Sequence, residues 1–251
     1  MGPVFRLTRG IMSDTILDTE TYREGVKKVG PGSEFRYRCK FDPTPGDEGR
    51  TVTVSHKGGK QLFVIAGPNG SGKSSLIRSA DLDIANDRII NPDNYARGIS
   101  EVEDESVRYR LALEVCRTLR EKLLEAGESF GFETKDSTPE KIDIVRRAKR
   151  NGYEFVFLFV CTETPNICID RIAQRVAAGG HHVSSEVVVS SYICTLTHLQ
   201  EYIKLADRAD IYDNSSDHLK LVCTKKDGRA EITPEGEEVD WVCDYLMEVV
   251  L

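Results

Sequence analysis

Between positions 67 and 74 the chain reads Gly67-Pro68-Asn69-Gly70-Ser71-Gly72-Lys73-Ser74, which satisfies the pattern G-x-x-x-x-G-K-[ST]. Glycines at 70 and 72 let the backbone curl until successive N–H groups face a single point, and the positive end of a following helix adds to the attraction. The group that satisfies such a cradle is a phosphate. Lys73 is of the right length to reach the β- and γ-phosphates of a nucleotide, and the Ser74 hydroxyl is placed to ligate Mg²⁺. Ser75 extends the same nucleotide-binding stretch, so ATP and Mg²⁺ are the expected companions.

Two carboxylates stand where a second substrate would meet that phosphate. Asp93 follows the short apolar run Ile89-Ile90, and Glu133, with Thr134, closes Phe130-Gly131-Phe132. In an open parallel sheet, ligands gather beyond the carboxyl ends of the strands. An acceptor hydroxyl there needs orientation and a place for its proton. A carboxylate within hydrogen-bond reach supplies both, and Asp93 is assigned that role, with Glu133 and Thr134 holding the acceptor. Asp93 would equally serve as a cap for the segment beginning at Asn94. Arg171 and Arg175 lie four apart, opposite Ile169, Ile172 and Val176. They offer the positive charge a phosphoryl transition state requires, or simply a solvated face. His181 and His182, after Gly179-Gly180, suit a phosphate-covering turn better than a zinc site.

These residues need a scaffold, and the pattern from Gln61 onward supplies one. Apolar runs at 62–66, 88–90, 129–133, 155–160 and 209–212 read as strands, separated by helical periods, the order of a mostly parallel sheet covered by helices. Val107, Leu111, Val115, Leu119 and Leu123 predict a helix facing the core, stopped by Gly127. Thr138-Pro139 and Thr164-Pro165 open two more, closed at Gly152 and at Gly179-Gly180. A further helix is expected from 185 to 206, then a hairpin of 219–224 with 230–233 and a final helix to Leu251. Residues 1–60 differ: turn signals at 30–32, 43–46 and 56–59 enclose alternating stretches at 35–41 and 51–54, a half-solvated hairpin. The segment before Met12 reads as a leader. The expected organisation is an N-terminal extension over 1–60 and a P-loop domain over 61–251.

The net charge of −7 argues against a nucleic-acid backbone as partner. No apolar run is long enough to span a membrane and no secretory signal opens the chain, so a cytoplasmic location is expected. The seven cysteines are scattered, without a C-x-x-C pair, and read as reduced, mostly buried side chains.

Taken in order, the stretches Ile65–Ser74, Ile90-Asn91-Pro92-Asp93, Ala126–Thr134, Arg171–Val176, Gly179-Gly180-His181 and Ala209–Ser215 resemble the zeta toxin family of small P-loop kinases and its relatives. The resemblance spans about three-fifths of the chain, and the phosphate loop is its one individually specific motif. It implies an α/β P-loop NTPase-type fold and ATP·Mg²⁺-dependent phosphorylation of a UDP-N-acetyl amino sugar. Asp93 would be the base, Asn91, Glu133 and Thr134 would hold the acceptor, and an antitoxin partner would restrain the enzyme. Similar kinases act on NAD or polynucleotide ends. Two stretches depart from the family pattern. Lys135-Asp136-Ser137 replaces the usual Thr and Leu-Ser-Gly stretch, and Ser190-Ser191 stands before Tyr192 where arginines are common.

Overall fold

The structure, a computed structural model, describes residues 34–38, 51–55, 59–79, 88–99, 102–135, 138–180 and 182–250. The segment before Met12, the turns at 30–32 and 43–46, the end of the first alternating stretch, Asp136-Ser137 and His181 lie outside them. Two short strands, β1 (Glu34–Arg38) and β2 (Thr51–Ser55), pair antiparallel as a separate two-stranded sheet, with Glu34 opposite Ser55.

The main sheet has seven strands. It is built from β3 (Gln61–Ala66), β4 (Ile89–Ile90), β5 (Phe130–Thr134), β6 (Glu154–Cys161), β7 (Arg208–Asp213), β8 (Lys220–Lys226) and β9 (Arg229–Ile232). Their spatial order is β4-β5-β3-β6-β7-β8-β9. The first five run parallel and the last two antiparallel. The fold is thus α/β with a mostly parallel sheet, and the C-terminal hairpin continues that sheet rather than standing apart.

Between the strands lie α1 (Lys73–Ser79), α2 (Pro92–Gly98), α3 (Glu105–Ala126), α4 (Pro139–Arg150), α5 (Pro165–Ala177), α6 (Ser185–Thr197) and α7 (Leu199–Leu205). After them come α8 (Pro234–Glu237) and α9 (Asp240–Val250). β3 is buried along its whole length because both of its faces are covered, which is why it reads as an unbroken apolar run. Leu62, Val64 and Ala66 join Phe155, Phe157 and Phe159 in the larger core, under α3, α4, α6, α7 and α9. Phe63 and Ile65 turn the other way, toward Leu76 of α1 and Val156, Leu158 and Val160. Among the described residues, no helix is long and apolar enough to cross a membrane.

Two helices differ from expectation. The core face of α3 is Ala112, Cys116, Leu119, Arg120 and Leu124, while Leu111 is 41% exposed. The expected helix over 185–206 is two, α6 and α7, meeting at His198, whose ring Nδ1 lies 3.0 Å from the Cys194 carbonyl oxygen.

Candidate active site

β3 delivers the chain into the phosphate loop, and the loop's shape follows from its glycines. Gly67, Gly70 and Gly72 have φ of 148°, 82° and 107°, values that favour glycine over every other residue. A side chain at Gly70 would strike the Cys168 backbone, and one at Gly72 the Asn214 amide. The curl is closed by Ser71 N–H donating to the Pro68 oxygen at 3.3 Å, and by Ser75 and Leu76 N–H donating to the Gly72 oxygen at 3.0 Å each.

Lys73 is buried, and its ammonium donates to the Gly67 and Pro68 carbonyls at 2.8 and 2.7 Å. Burial pushes its pKa down, opposed by the carboxylates of Glu133 and Asp93. Around it, three buried polar atoms have no partner among the described residues: Asn69 Nδ2, Ser71 Oγ and Arg171 Nη1. Buried polar atoms are rarely left so. Donors gathered on and beside a glycine-rich curl are what the phosphates of ATP would satisfy, so the residues fit that ligand.

Glu133, the last residue but one of β5, is half-buried beside the loop. It accepts from Asn91 Nδ2 at 2.6 Å and lies near the Ser74 hydroxyl. Burial raises its pKa, Lys73 draws it down and Asp93 pushes it further up. Asn91 also accepts from the Asp93 N–H at 2.8 Å, so Asn91 caps α2 and Asp93 does not. That leaves the exposed Asp93 carboxylate, in the first turn of α2, free of the capping duty. Thr134 is buried, one residue beyond Glu133. Ser74, next to a carboxylate and at the mouth of the loop, offers the hard oxygen that Mg²⁺ prefers.

The arginines divide. Arg171 is half-buried and donates from Nη2 to the Ser216 oxygen at 3.4 Å, leaving Nη1 aimed at no protein atom. Arg175 is exposed one turn on, with Gly180 packed against its side chain. It is not free to the degree its helical face suggests, because it already interacts within the protein.

Three contacts were not legible in the residue types. Asn214, at the end of β7, donates from Nδ2 to the Ser71 oxygen at 2.7 Å and from its backbone to the Cys161 oxygen at 2.8 Å. Its neighbour Asp213 accepts from Trp241 Nε1 at 2.9 Å and from the Ser215 hydroxyl at 2.7 Å. Ser191 Oγ accepts from the Asn69 N–H at 3.2 Å and donates to the Val188 oxygen. Ser191 therefore abuts the phosphate loop and holds the loop's backbone by its hydroxyl. The string Asp213-Asn214-Ser215 after an apolar strand was the available signal for the first two. Ser191 had none beyond its departure from the family pattern.

Comparison with known proteins gives a consistent result. The family described as Zeta toxin matches residues 47–232. Among solved structures, the chain is similar to AvrRxo1-ORF1:AvrRxo1-ORF2 with sulphate ions (TM-score 0.60, 14% identity, 72% of this chain and 63% of that one). The same assembly with ATP gives a TM-score of 0.61 at 15% identity, over 72% of this chain and 62% of that one. This chain thus spans just under two thirds of those proteins' length. A structure of the PezAT chromosomal toxin-antitoxin system of Streptococcus pneumoniae also matches, at a TM-score of 0.48 and 15% identity, over 72% of this chain and 77% of that one. No curated protein sequence matches.

Proposed function

The chain belongs to the zeta toxin family, and on that premise we propose that it is an ATP-dependent kinase that phosphorylates a hydroxyl of a nucleotide-linked sugar, UDP-N-acetylglucosamine first. The observation that carries this reading is the junction of Lys73, Ser74, Glu133 and Asn91. Two strand ends and the phosphate loop bring an ammonium, a hydroxyl and a carboxylate held by an amide to one place.

In that arrangement Lys73 leaves its own loop carbonyls for the β- and γ-phosphates, and Asn69, Ser71 and the loop N–H groups satisfy the remaining oxygens. Glu133, Asn91 and Thr134 orient the acceptor. The acceptor oxygen bonds to the γ-phosphorus as the bridging β–γ oxygen bond breaks; its proton passes to Asp93, and ADP departs. Arg171 Nη1 supplies charge to the phosphoryl oxygens, with Arg175 one turn behind it. Mg²⁺, held by Ser74 and the phosphates, would neutralise the β- and γ-oxygens.

NAD or another nucleotide is the alternative acceptor, favoured by Lys135-Asp136-Ser137 after Glu133-Thr134, where the family pattern differs. The AvrRxo1-ORF1 fold is seen together with a second chain, and an antitoxin-like protein partner belongs to the same proposal. ATP supply and the cysteines of the described residues, all six of them unpaired, suit the reducing cytoplasm.

The test is mass detection of product after incubating the protein with ATP, Mg²⁺ and a panel of UDP-N-acetylglucosamine, UDP-N-acetylmuramic acid, NAD and short RNA, beside Lys73→Ala. One acceptor gaining a single phosphate with the parent alone is the expected result. ATP bound with no product from any acceptor would point to a nucleotide-binding module without transfer activity.

A further inference from the structure

Two ammonium groups stand at the carboxyl ends of the central strands, and the proposed reaction uses only one. Lys73 is committed to the phosphate loop. Lys135 directly follows β5, half-buried, with Nζ 5.2 Å from the centre of the Tyr109 ring in α3. Among the described residues its ammonium has no carboxylate partner. Glu133, two residues away, is engaged by Asn91. The neighbouring cation of α2, Arg97, is turned back on its own helix, donating to Asn94 Oδ1 at 2.7 Å and to the Asp93 oxygen at 3.2 Å. Lys135 also lies close enough to Lys73 for the two charges to repel, one contribution to the lowered pKa of Lys73.

The strand order says where this charge sits. β5 lies between β3, which runs into the phosphate loop, and β4, whose end carries Asn91 and then Asp93. The acceptor hydroxyl and the γ-phosphate must meet across that strip. An ammonium resting on an aromatic face is held weakly. A charge-assisted bond to a phosphate oxygen is stronger and shorter, so an anion reaching the strip takes the cation from the ring.

Resting on the kinase reading above, we propose that Lys135, presented over Tyr109, is the anion anchor of the acceptor subsite. It selects acceptors that carry phosphate, such as nucleoside-diphosphate sugars or dinucleotides, over a neutral sugar bearing the same hydroxyl.

The experiment is titration calorimetry on the full chain saturated with a non-hydrolysable ATP analogue and Mg²⁺, which keeps the phosphate loop filled. UDP-N-acetylglucosamine, NAD and free N-acetylglucosamine are the probes, against the parent, Lys135→Met and Lys135→Arg. Loss of one charge-assisted contact predicts that Lys135→Met binds the parent's preferred phosphate-bearing probe about ten- to a hundredfold more weakly. Lys135→Arg should retain most of the affinity, and affinity for the ATP analogue should be unchanged in both. Should Lys135→Met not fold, Tyr109→Leu removes the platform instead and should weaken the same probe. Equal affinity of parent and Lys135→Met overturns the proposal, as does an equal loss for the neutral sugar, or a parent that binds none of the three. Because binding is read without turnover, a chain that binds UDP-N-acetylglucosamine through Lys135 yet transfers no phosphate would sink the kinase reading and leave this one standing.

Discussion

Asn91 is the residue on which both carboxylates depend: its amide nitrogen holds Glu133 and its amide oxygen holds the Asp93 backbone. With Asp93 relieved of capping, its carboxylate is available to take a proton. Asp93→Asn should lower kcat by about 10²–10⁴-fold, the usual worth of a general base, while equilibrium binding of ATP stays at the parental value. An unchanged kcat would overturn the base assignment. Lys73→Ala, in contrast, should abolish ATP binding itself, read by calorimetry. The residue types were sufficient to nominate Lys73, Ser74, Asp93 and Glu133, because each follows an apolar strand or completes a spaced motif. Asn214 and Ser191 were beyond that method: a bond from a side chain to the backbone 143 residues earlier leaves no periodic trace.

At the scale of elements, β5 pays for its site. Glu133 holds its proton more tightly in the folded chain than the ordinary 4.5 of a glutamate, so the folded state binds more protons than the unfolded one between the two values. Stability is therefore greatest below the unfolded pKa and falls as pH rises through the folded one. Glu133→Gln removes that slope. Thermal melts across pH 4–8 should show it more stable than the parent near neutrality, with the difference closing toward acid, while acceptor affinity drops. A parent whose melting temperature climbs with pH relative to Glu133→Gln would contradict this. The phosphate loop makes its own demand: Gly72→Ala forces a side chain into Asn214 at a positive φ and should raise the KM for ATP at least tenfold, about 1.4 kcal/mol. The helix α3 shows why its core face was misjudged. With 3.6 residues per turn, each step of four overshoots by about 40°, so the row from Val107 to Leu123 winds through roughly 160°. Arg120, over the Phe132 ring at 5.4 Å and bonded to Glu140, takes a core position that an apolar count never assigns to arginine. The break at His198 carries neither glycine nor proline, the signals that betray a helix end.

For the whole molecule, the strand order ties the C-terminal helix to the phosphate loop. Trp241 of α9 bonds Asp213, Asp213 bonds Ser215, the Ser215 hydroxyl accepts from Glu163 N–H at 2.7 Å, and Asn214 holds the phosphate loop. Trp241→Phe leaves a buried carboxylate short of a donor, at about 1–3 kcal/mol. Urea melts should show that loss, and the KM for ATP should rise with it. An unaltered KM would separate α9 from the site. The mostly parallel sheet was legible because parallel strands buried on both faces read as apolar runs and two of the helices between them open at Thr-Pro. The attachment of β8 and β9 to its edge was not, since a hairpin's sequence fixes its own register and not the strand it joins.

That edge bears on how a second protein can approach. The outermost strand, β9, is four residues long and exposes Arg229 and Glu231; short, charged edges resist the addition of a foreign strand. A second protein is therefore not expected to extend the sheet at β9.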